Sequence, residues 1–360
     1  MNSFPRERTL FESVATKLRT RIDAGEWASG VRLPTEKALA EQFSVGLNTV
    51  RRAVEILVND GLVVRRQGSG TYVTPQRTET GSRFVGAIVP STSYYFPTVI
   101  AGIERATGAA GVRMLLASSD YDHDRELMRV REMIESGVSG LLIAPTLHLG
   151  DAEAQLDAIR ALGVPTVLVE RRPSTPEPDD RLSYIVTDVV GGGFAAVRHL
   201  VEQGCTRIGF MGRSDTATAD DVFAGFERAI AAFDVPRLTD AIVRRPSWER
   251  DELADFAAIA KEQRLDGVFC LGDREATALI PRLRAQDISV PDDLAVICYD
   301  DEVAGLAEVP LTAVSPPKFE VGRLAANTLL RLIATQGAAA AVRTRLLPSI
   351  NIRESSRSRL

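Results

Sequence analysis

The start of the chain has hydrophobic residues at the spacing of short amphipathic helices. A helix over residues 10–24 is predicted by four apolar residues that each follow the last by four positions: Leu10, Val14, Leu18 and Ile22. A second, short helix is predicted to open at Pro34, because the missing N–H of proline costs nothing in a first turn. A third helix is predicted over residues 47–60, with an apolar stripe of Val50, Val54, Leu57 and Val58.

Two β-prone runs follow the third helix. Residues 62–66 and 71–73 flank a glycine-rich tip, Gln67-Gly68-Ser69-Gly70, and this arrangement predicts a hairpin. Three helices followed by a hairpin predict a winged helix-turn-helix domain, which we assign to residues 1–74. The polar residues 75–83 include proline and glycine and are interpreted as a linker.

The pattern changes from Phe84 onward. Short runs of apolar residues alternate with helical stretches: Val85–Val89, Val112–Ala117, Gly140–Ala144, Thr166–Val169, Ile185–Val186, Ile208–Met211, Gly267–Leu271 and Leu294–Tyr299. Continuous apolar strands that alternate with helices are typical of parallel sheets covered on both faces. Residues 84–360 therefore predict an α/β fold, either as one large unit or as two linked ones.

The charge is distributed unevenly along the chain. The net charge of the 360 residues is −5, which taken alone argues against nucleic acid as a partner. Residues 1–78, however, carry 12 Lys/Arg and 8 Asp/Glu, a net charge of +4, which leaves −9 for the remaining residues. A basic N-terminal domain on an acidic body is compatible with DNA binding by the first domain alone.

The three cysteines, Cys205, Cys270 and Cys298, are far apart and show no metal-ligand spacing. Their odd number suits a reducing compartment. No secretory signal is visible near the N-terminus, and no apolar run approaches the roughly 18 residues that span a bilayer. We therefore expect a cytoplasmic protein with no membrane association, no metal and no cofactor.

The third helix carries side chains suited to reading DNA. The second helix of a helix-turn-helix enters the major groove, and its N-terminal residues reach base edges. Asn48, Thr49, Arg51 and Arg52 take these positions, and asparagine pairs with adenine as arginine pairs with guanine. In the hairpin, Arg66 and Gln67 can reach phosphate or the minor groove. The alternative interpretation is an unrelated three-helix bundle with solvated arginines.

The segment LPTEKALAEQFSVGLNTVRRAVEILVNDGLVVRRQGSGTYV resembles the DNA-binding domain of the GntR family of bacterial transcription regulators, over residues 9–74. The resemblance implies that these residues face DNA: Thr35, Glu36, Lys37, Thr49, Arg51, Arg52, Gln67, Gly68 and Gly70. The family usually has Ser-Arg where this chain has Gly46-Leu47. Because the arginine usually contacts DNA, Leu47 implies an operator that differs from the usual family sequence.

Residues 84–355 resemble the effector domain of the LacI/GalR family, which has the type I periplasmic-binding-protein fold. The resemblance is carried by segments such as MIESGVSGLLIAP, HLVEQGCTRIGFMG and VPDDLAVICYDDEVAGLAEVPLTAVSPPKFEVGRLAANTLL. It implies two Rossmann-like subdomains with a ligand cleft between them and chain crossings near Asp188, Thr312 and Gly337. Subdomain one then comprises residues 84–187 and 313–336, and subdomain two comprises residues 188–312 and 337–360.

By the same resemblance, seven residues line the cleft: Tyr94, Tyr95, Phe96, Glu170, Trp248, Asp273 and Asp300. Aromatic rings stack on the apolar faces of sugars, and carboxylates accept hydrogen bonds from hydroxyl groups. In the alternative interpretation the aspartates cap helices and the aromatic residues belong to the core or pack at the surface. The family's asparagine, arginine and glutamine are replaced here by Gly272, Val222 and Pro316, which removes hydrogen-bonding capacity.

Together these features predict a ligand-responsive transcription regulator that resembles the arabinose-responsive repressors of mixed GntR and LacI architecture. Its expected partners are a palindromic double-stranded operator, a small-molecule effector such as a carbohydrate, and a second copy of the chain. We expect no enzymatic activity. Two other interpretations stay open: a solute-binding protein, and a regulator that has lost ligand control.

Overall fold

The computed structural model describes residues 10–23, 26–27, 30–59, 62–66, 69–73, 84–147, 151–174, 180–214 and 216–356. The chain divides into two compact units, residues 1–82 and 83–360. The helices are α1 (Leu10–Asp23), α2 (Glu36–Phe43), α3 (Leu47–Asn59), α4 (Phe96–Ala109), α5 (His123–Glu135), α6 (Ala152–Arg160), α7 (Val189–Glu202), α8 (Ala217–Ala232), α9 (Arg250–Glu262), α10 (Asp273–Ala285) and α11 (Lys318–Ala334). The strands are β1 (Val63–Arg66), β2 (Gly70–Val73), β3 (Phe84–Val89), β4 (Arg113–Ser118), β5 (Leu141–Ile143), β6 (Thr166–Val169), β7 (Ser183–Thr187), β8 (Ile208–Arg213), β9 (Ile242–Arg245), β10 (Gly267–Cys270), β11 (Ala295–Tyr299), β12 (Thr312–Ser315), β13 (Arg343–Leu346) and β14 (Ser349–Asn351).

The first unit is a three-helix bundle with an antiparallel hairpin. Apolar residues of α1, α2 and α3, among them Leu18, Leu39 and Leu57, form its buried core. Strands β1 and β2 pair with each other, and backbone hydrogen bonds tie residues 30–33 to β2. The predicted winged helix-turn-helix is therefore confirmed. Its predicted linker, residues 75–83, lies outside the described residues.

The second unit consists of two lobes, each built on a six-stranded sheet. Lobe 1 has the strand order β13-β7-β6-β5-β3-β4, and lobe 2 has the order β14-β12-β11-β10-β8-β9. All paired strands run parallel except β14, which is antiparallel to β12. Helices cover both sheets, and the predicted pair of Rossmann-like subdomains is confirmed.

The strand pairing corrects two of the predicted crossings between the lobes. The first crossing lies at Asp188, as predicted. The second follows β12, at residues 316–317, because Thr312–Ser315 still pairs with β11 of lobe 2. The third lies at residues 347–348 and not at Gly337, because β13 pairs with β7 of lobe 1. Lobe 1 thus comprises residues 84–187 and 318–346, and lobe 2 comprises residues 189–315 and 349–356.

Glycines allow two pairs of helices to approach each other closely. A Cβ added at Gly102 of α4 would lie 2.0 Å from the carbonyl oxygen of Phe319, and one added at Gly322 of α11 would lie 2.0 Å from that of Val99. Gly193 of α7 and Gly225 of α8 make the same kind of contact in lobe 2. Of the glycine run at residues 191–193, Gly193 therefore serves the packing of α7 on α8.

The end of the chain is bound into lobe 2. The hydroxyl of buried Ser355 donates to the carbonyl oxygen of Val296, and that of Ser356 donates to Thr312. His199 lies 2.7 Å from the Ser356 hydroxyl. Within the described ranges, none of the helices combines the length and the apolar character needed to cross a bilayer.

Candidate functional site

The N-terminal half of α3 presents a polar face to solvent. Asn48, Arg51 and Arg52 are exposed and Thr49 is partly exposed, whereas Val50 and Val54 on the opposite face are buried. Leu47 begins the helix and is 40% exposed although it is apolar. The predicted base-reading residues thus share an accessible surface of the first unit.

Glu36 connects α2, α3 and the hairpin. Its carboxylate accepts hydrogen bonds from the Arg51 guanidinium at 2.9 Å and from the Arg65 guanidinium at 3.0 Å. Glu36 thus links one arginine of the helix to one of the hairpin. Its predicted contact with DNA stays a prediction.

The other predicted DNA-binding residues have separate surroundings. Thr35 caps α2 by accepting a hydrogen bond from the Ala38 amide, and Lys37 is exposed in the first turn. The Arg52 guanidinium lies 5.4 Å from the centroid of the Phe11 ring, so part of its side chain packs on α1. Gly70 has a φ of +126°, and a Cβ there would collide with Arg32. Gln67, Gly68 and the side chain of Arg66 lie outside the described residues.

In the second unit, Tyr94 joins the two lobes. It follows β3 of lobe 1, and its hydroxyl donates to Asp273 and lies 3.2 Å from the Asp300 carboxylate, both in lobe 2. Tyr94 has a φ of +67°, and its ring lies 3.9 Å below the Arg274 guanidinium. Burial and the neighbouring carboxylates raise the pKa of Tyr94, so the phenol keeps its proton. Three of the seven predicted cleft residues therefore meet at one point.

Asp273 is fully buried at the start of α10. One oxygen of its carboxylate accepts hydrogen bonds from the backbone amides of Glu302, Val303 and Ala304, at 2.5–3.0 Å. The other oxygen accepts the Tyr94 hydroxyl. The residue therefore organises the loop that follows Asp300, in addition to any contact with an effector.

Asp300 follows β11 and has a φ of +90°. Burial, together with the charges of Asp273 and Glu275, raises the pKa of Asp300 to about 7, although Lys318 and the hydrogen bond from Tyr94 oppose the shift. Lys318 itself is buried at the start of α11, where its ammonium group donates to the carbonyl oxygen of Asp300 and to the carboxylate of Glu302. The contact between the lobes thus includes a carboxyl group whose pKa lies well above its usual range.

Tyr95 and Glu170 form a second cluster, which lies entirely in lobe 1. The Tyr95 hydroxyl donates to Glu170 at 2.7 Å. Glu170 also accepts the amide of Thr187 at 2.9 Å and its hydroxyl at 2.8 Å. Both carboxylate oxygens of Glu170 are therefore already bonded within the protein, beside the first crossing of the chain.

Phe96 packs edge-on against Tyr95 of the second cluster, with 5.3 Å between the ring centroids, whereas the described contacts of Trp248 lie within lobe 2. Phe96 is buried in the core of lobe 1, and its role as an effector contact stays a prediction. Trp248 packs edge-on against Phe256, and its indole N–H donates to the carbonyl oxygen of Gly212 at 3.0 Å. Its role as an effector contact stays a prediction.

Three residues that connect the lobes lie outside the set of seven predicted cleft residues. Lys318 reaches lobe 2 as described above, Arg274 stacks on Tyr94, and the Arg172 guanidinium of lobe 1 donates to Asp221 of lobe 2 at 2.8 Å. These contacts join residues far apart in the chain, so no local pattern reveals them.

The raised pKa of Asp300 leads to a testable pH dependence. An aspartate in the unfolded chain ionises at about pH 4, whereas Asp300 in the folded chain keeps its proton up to about pH 7. Between these two pH values the folded chain therefore binds one proton more than the unfolded chain, and the free energy of unfolding falls as the pH rises. We expect Asp300→Asn, which cannot ionise, to flatten this fall. Urea denaturation at several pH values measures it, with Asp287→Asn, at an exposed aspartate, as control. Equal pH dependence of wild type and Asp300→Asn would contradict the assignment.

Comparisons with known proteins match both units. Residues 10–73 match the model of the gntR family of bacterial regulatory proteins, and residues 197–356 match that of the periplasmic binding protein-like domain. The arabinose metabolism transcriptional repressor of Geobacillus stearothermophilus is 30% identical over 341 residues, which cover 91% of this chain and 93% of the repressor.

Solved structures give the same result for the fold. A transcription regulator GntR from Chromobacterium violaceum aligns with a TM-score of 0.64 and 28% identity, over 76% of this chain and 99% of that chain. A LacI family transcriptional regulator from Enterococcus faecium with bound ribose aligns with a TM-score of 0.61 and 24% identity, over 76% of this chain and 98% of that chain.

The two units thus define a DNA-binding regulator with a periplasmic-binding-protein-like effector domain. The chain belongs to the family of transcriptional repressors that join a gntR-type DNA-binding domain to such an effector domain. The Geobacillus repressor is similar to this chain along nearly its whole length.

Proposed function

We propose that this protein is a repressor that binds a palindromic operator as a homodimer and changes its operator affinity when a sugar or sugar derivative occupies the cleft of the second unit. It acts in the cytoplasm and catalyses no reaction. The observation that carries the proposal is the pair of arginines, Arg51 and Arg65, that Glu36 binds on the exposed helix-turn-helix surface. In the second unit, the lobes meet where Tyr94 of lobe 1 contacts the carboxylates of Asp273 and Asp300 of lobe 2.

The DNA-binding half rests on α3. Inserted in the major groove, Arg51 and Asn48 would reach base edges, and Arg65 would reach the backbone from the hairpin. Leu47 would offer an apolar contact to the methyl group of a thymine. A net charge of only +4 in residues 1–78 favours binding by two copies, because few phosphate contacts are available to one.

The effector half rests on the chemistry of the cleft. The site combines carboxylates, tyrosines and an arginine that stacks on Tyr94. Such a set of hydrogen-bonding groups suits a ligand with several hydroxyl groups. The names of the relatives support this class, because two are repressors of arabinose metabolism and the Enterococcus regulator holds ribose. By linkage, an effector that weakens operator binding must itself be bound more weakly by the DNA-bound protein, and by the same factor.

Footprinting on the DNA that flanks the protein's own gene tests the proposal. We expect a two-fold symmetric footprint and a linear fall of the logarithm of the affinity against that of the salt concentration, with a slope of several units. Repeating the titration with L-arabinose and with D-ribose tests the effector. A flat salt dependence would overturn the DNA-binding half, and indifference to every sugar would overturn the effector half.

A further inference from the structure

Tyr94 lies where lobe 1 contacts the two predicted effector-binding carboxylates of lobe 2. Its backbone has a φ of +67°, in the left-handed region, which costs energy for a bulky residue. The phenol oxygen nevertheless lies within hydrogen-bond distance of Asp273 and of Asp300. The hydrogen bonds that the Tyr94 side chain makes to lobe 2 therefore offset the strain of its own backbone in lobe 1.

The hydrogen bonds of Asp273 leave a single place for a hydroxyl donor. One carboxylate oxygen is committed to three backbone amides, so the oxygen that faces Tyr94 is the one through which a ligand could bind. In the structure that oxygen accepts the phenol of Tyr94. An effector hydroxyl that bonds to Asp273 there therefore competes with the phenol for the same oxygen.

The phenol resembles such a hydroxyl chemically. It is a neutral O–H donor held between two carboxylates, which is the environment that a sugar hydroxyl would enter. The Arg274 guanidinium, which stacks over the ring at 3.9 Å and belongs to an exposed residue, places planar N–H donors beside the same position. Displacement thus exchanges one hydroxyl donor for another next to an arginine.

We propose that Tyr94 occupies the place of an effector hydroxyl between Asp273 and Asp300, and that effector binding displaces it. The proposal rests on the function proposed above. It makes Tyr94 a specificity-determining residue, because only a ligand that delivers a hydroxyl donor to Asp273 replaces the bond that displacement breaks. Ligands that lack a hydroxyl at this position leave Tyr94 in place.

Tyr94→Phe removes the phenol oxygen while keeping the ring under Arg274. Tyr121→Phe is a matched control, since Tyr121 also lies in lobe 1 with a left-handed backbone, at a φ of +60°, and its ring is exposed. Hydrogen exchange of the full-length protein reports on the contact itself. We expect faster exchange in residues 91–99 for Tyr94→Phe, and no change for Tyr121→Phe. Unchanged exchange in Tyr94→Phe would overturn the proposal.

Calorimetric titration with L-arabinose and D-ribose then tests displacement. We expect Tyr94→Phe to bind the preferred sugar at least roughly tenfold more tightly than wild type, because no hydrogen bond to a carboxylate has to be broken first. Equal affinity in both proteins would overturn the role of Tyr94 and leave the proposed function standing. Failure of both proteins to bind either sugar would overturn the proposed sugar effector, and this proposal with it, while leaving operator binding intact.

Discussion

Replacing Asp273 with alanine is expected to lower the free energy of unfolding of the second unit by about 3 kcal/mol. The change leaves the amides of Glu302, Val303 and Ala304 without their acceptor, and an unsatisfied buried donor costs about 1–3 kcal/mol. Thermal denaturation of the full chain should show a melting transition lowered by roughly 6–12 °C. The effect is large because one oxygen serves three donors.

Asp273→Asn is the matched control. Its amide oxygen can still face the three backbone donors, and its NH₂ group can donate to the Tyr94 oxygen, so we expect a loss of less than about 1 kcal/mol. An alanine variant as stable as wild type would contradict this account. If the prediction holds, loss of effector response in Asp273→Ala does not by itself identify Asp273 as an effector contact.

Arg51→Ala is expected to weaken operator binding by about 10-fold to 100-fold, the range of one bidentate arginine contact to a base. Stability should change little, because Arg51 is exposed and its ion pair with Glu36 is at the surface. Fluorescence anisotropy with a labelled operator measures the affinity. Arg129→Ala removes the same charge from an exposed site of the second unit and should leave operator affinity unchanged.

Glu36→Gln separates positioning from contact at the same surface. The variant keeps the shape of the side chain but loses the charge that holds Arg51 and Arg65. We expect weaker operator binding than in wild type, by a smaller factor than in Arg51→Ala. Operator binding that improves in Glu36→Gln would show that the carboxylate acts mainly by repelling phosphate.

Local patterns predicted the elements of this fold better than their connections. The fourfold spacing of Leu10, Val14 and Leu18 predicted α1, and the apolar runs predicted most strands of the two sheets. Strand β9 (Ile242–Arg245) was missed because half of its four residues are arginines and it lies at a sheet edge. Strand β13 (Arg343–Leu346) was missed for the same reasons, because two of its four residues are arginines and it lies at a sheet edge. The third crossing was therefore predicted at the wrong position.

The candidate site was predictable as a set of residue types and not as a set of contacts. Asp273 and Asp300 follow neighbouring parallel strands, so their proximity follows from the fold. The contact between Tyr94 and Asp273 spans 179 positions of the chain, and the burial of Lys318 depends on packing that no local spacing encodes. The burial of Phe96 in the core of lobe 1 was likewise not apparent from its position after two tyrosines.

The glycine contact between α4 and α11 has a consequence for switching. Two lobe 1 residues that reach Asp300, Tyr94 and Lys318, lie just before α4 and at the start of α11, and the two helix backbones are in close contact at Gly102 and Gly322. We therefore expect the helix pair to move as one rigid body, so that release of Tyr94 from lobe 2 also disturbs the contact of Lys318 with lobe 2. Such coupling favours an all-or-none response, in which partial engagement of the cleft is unstable.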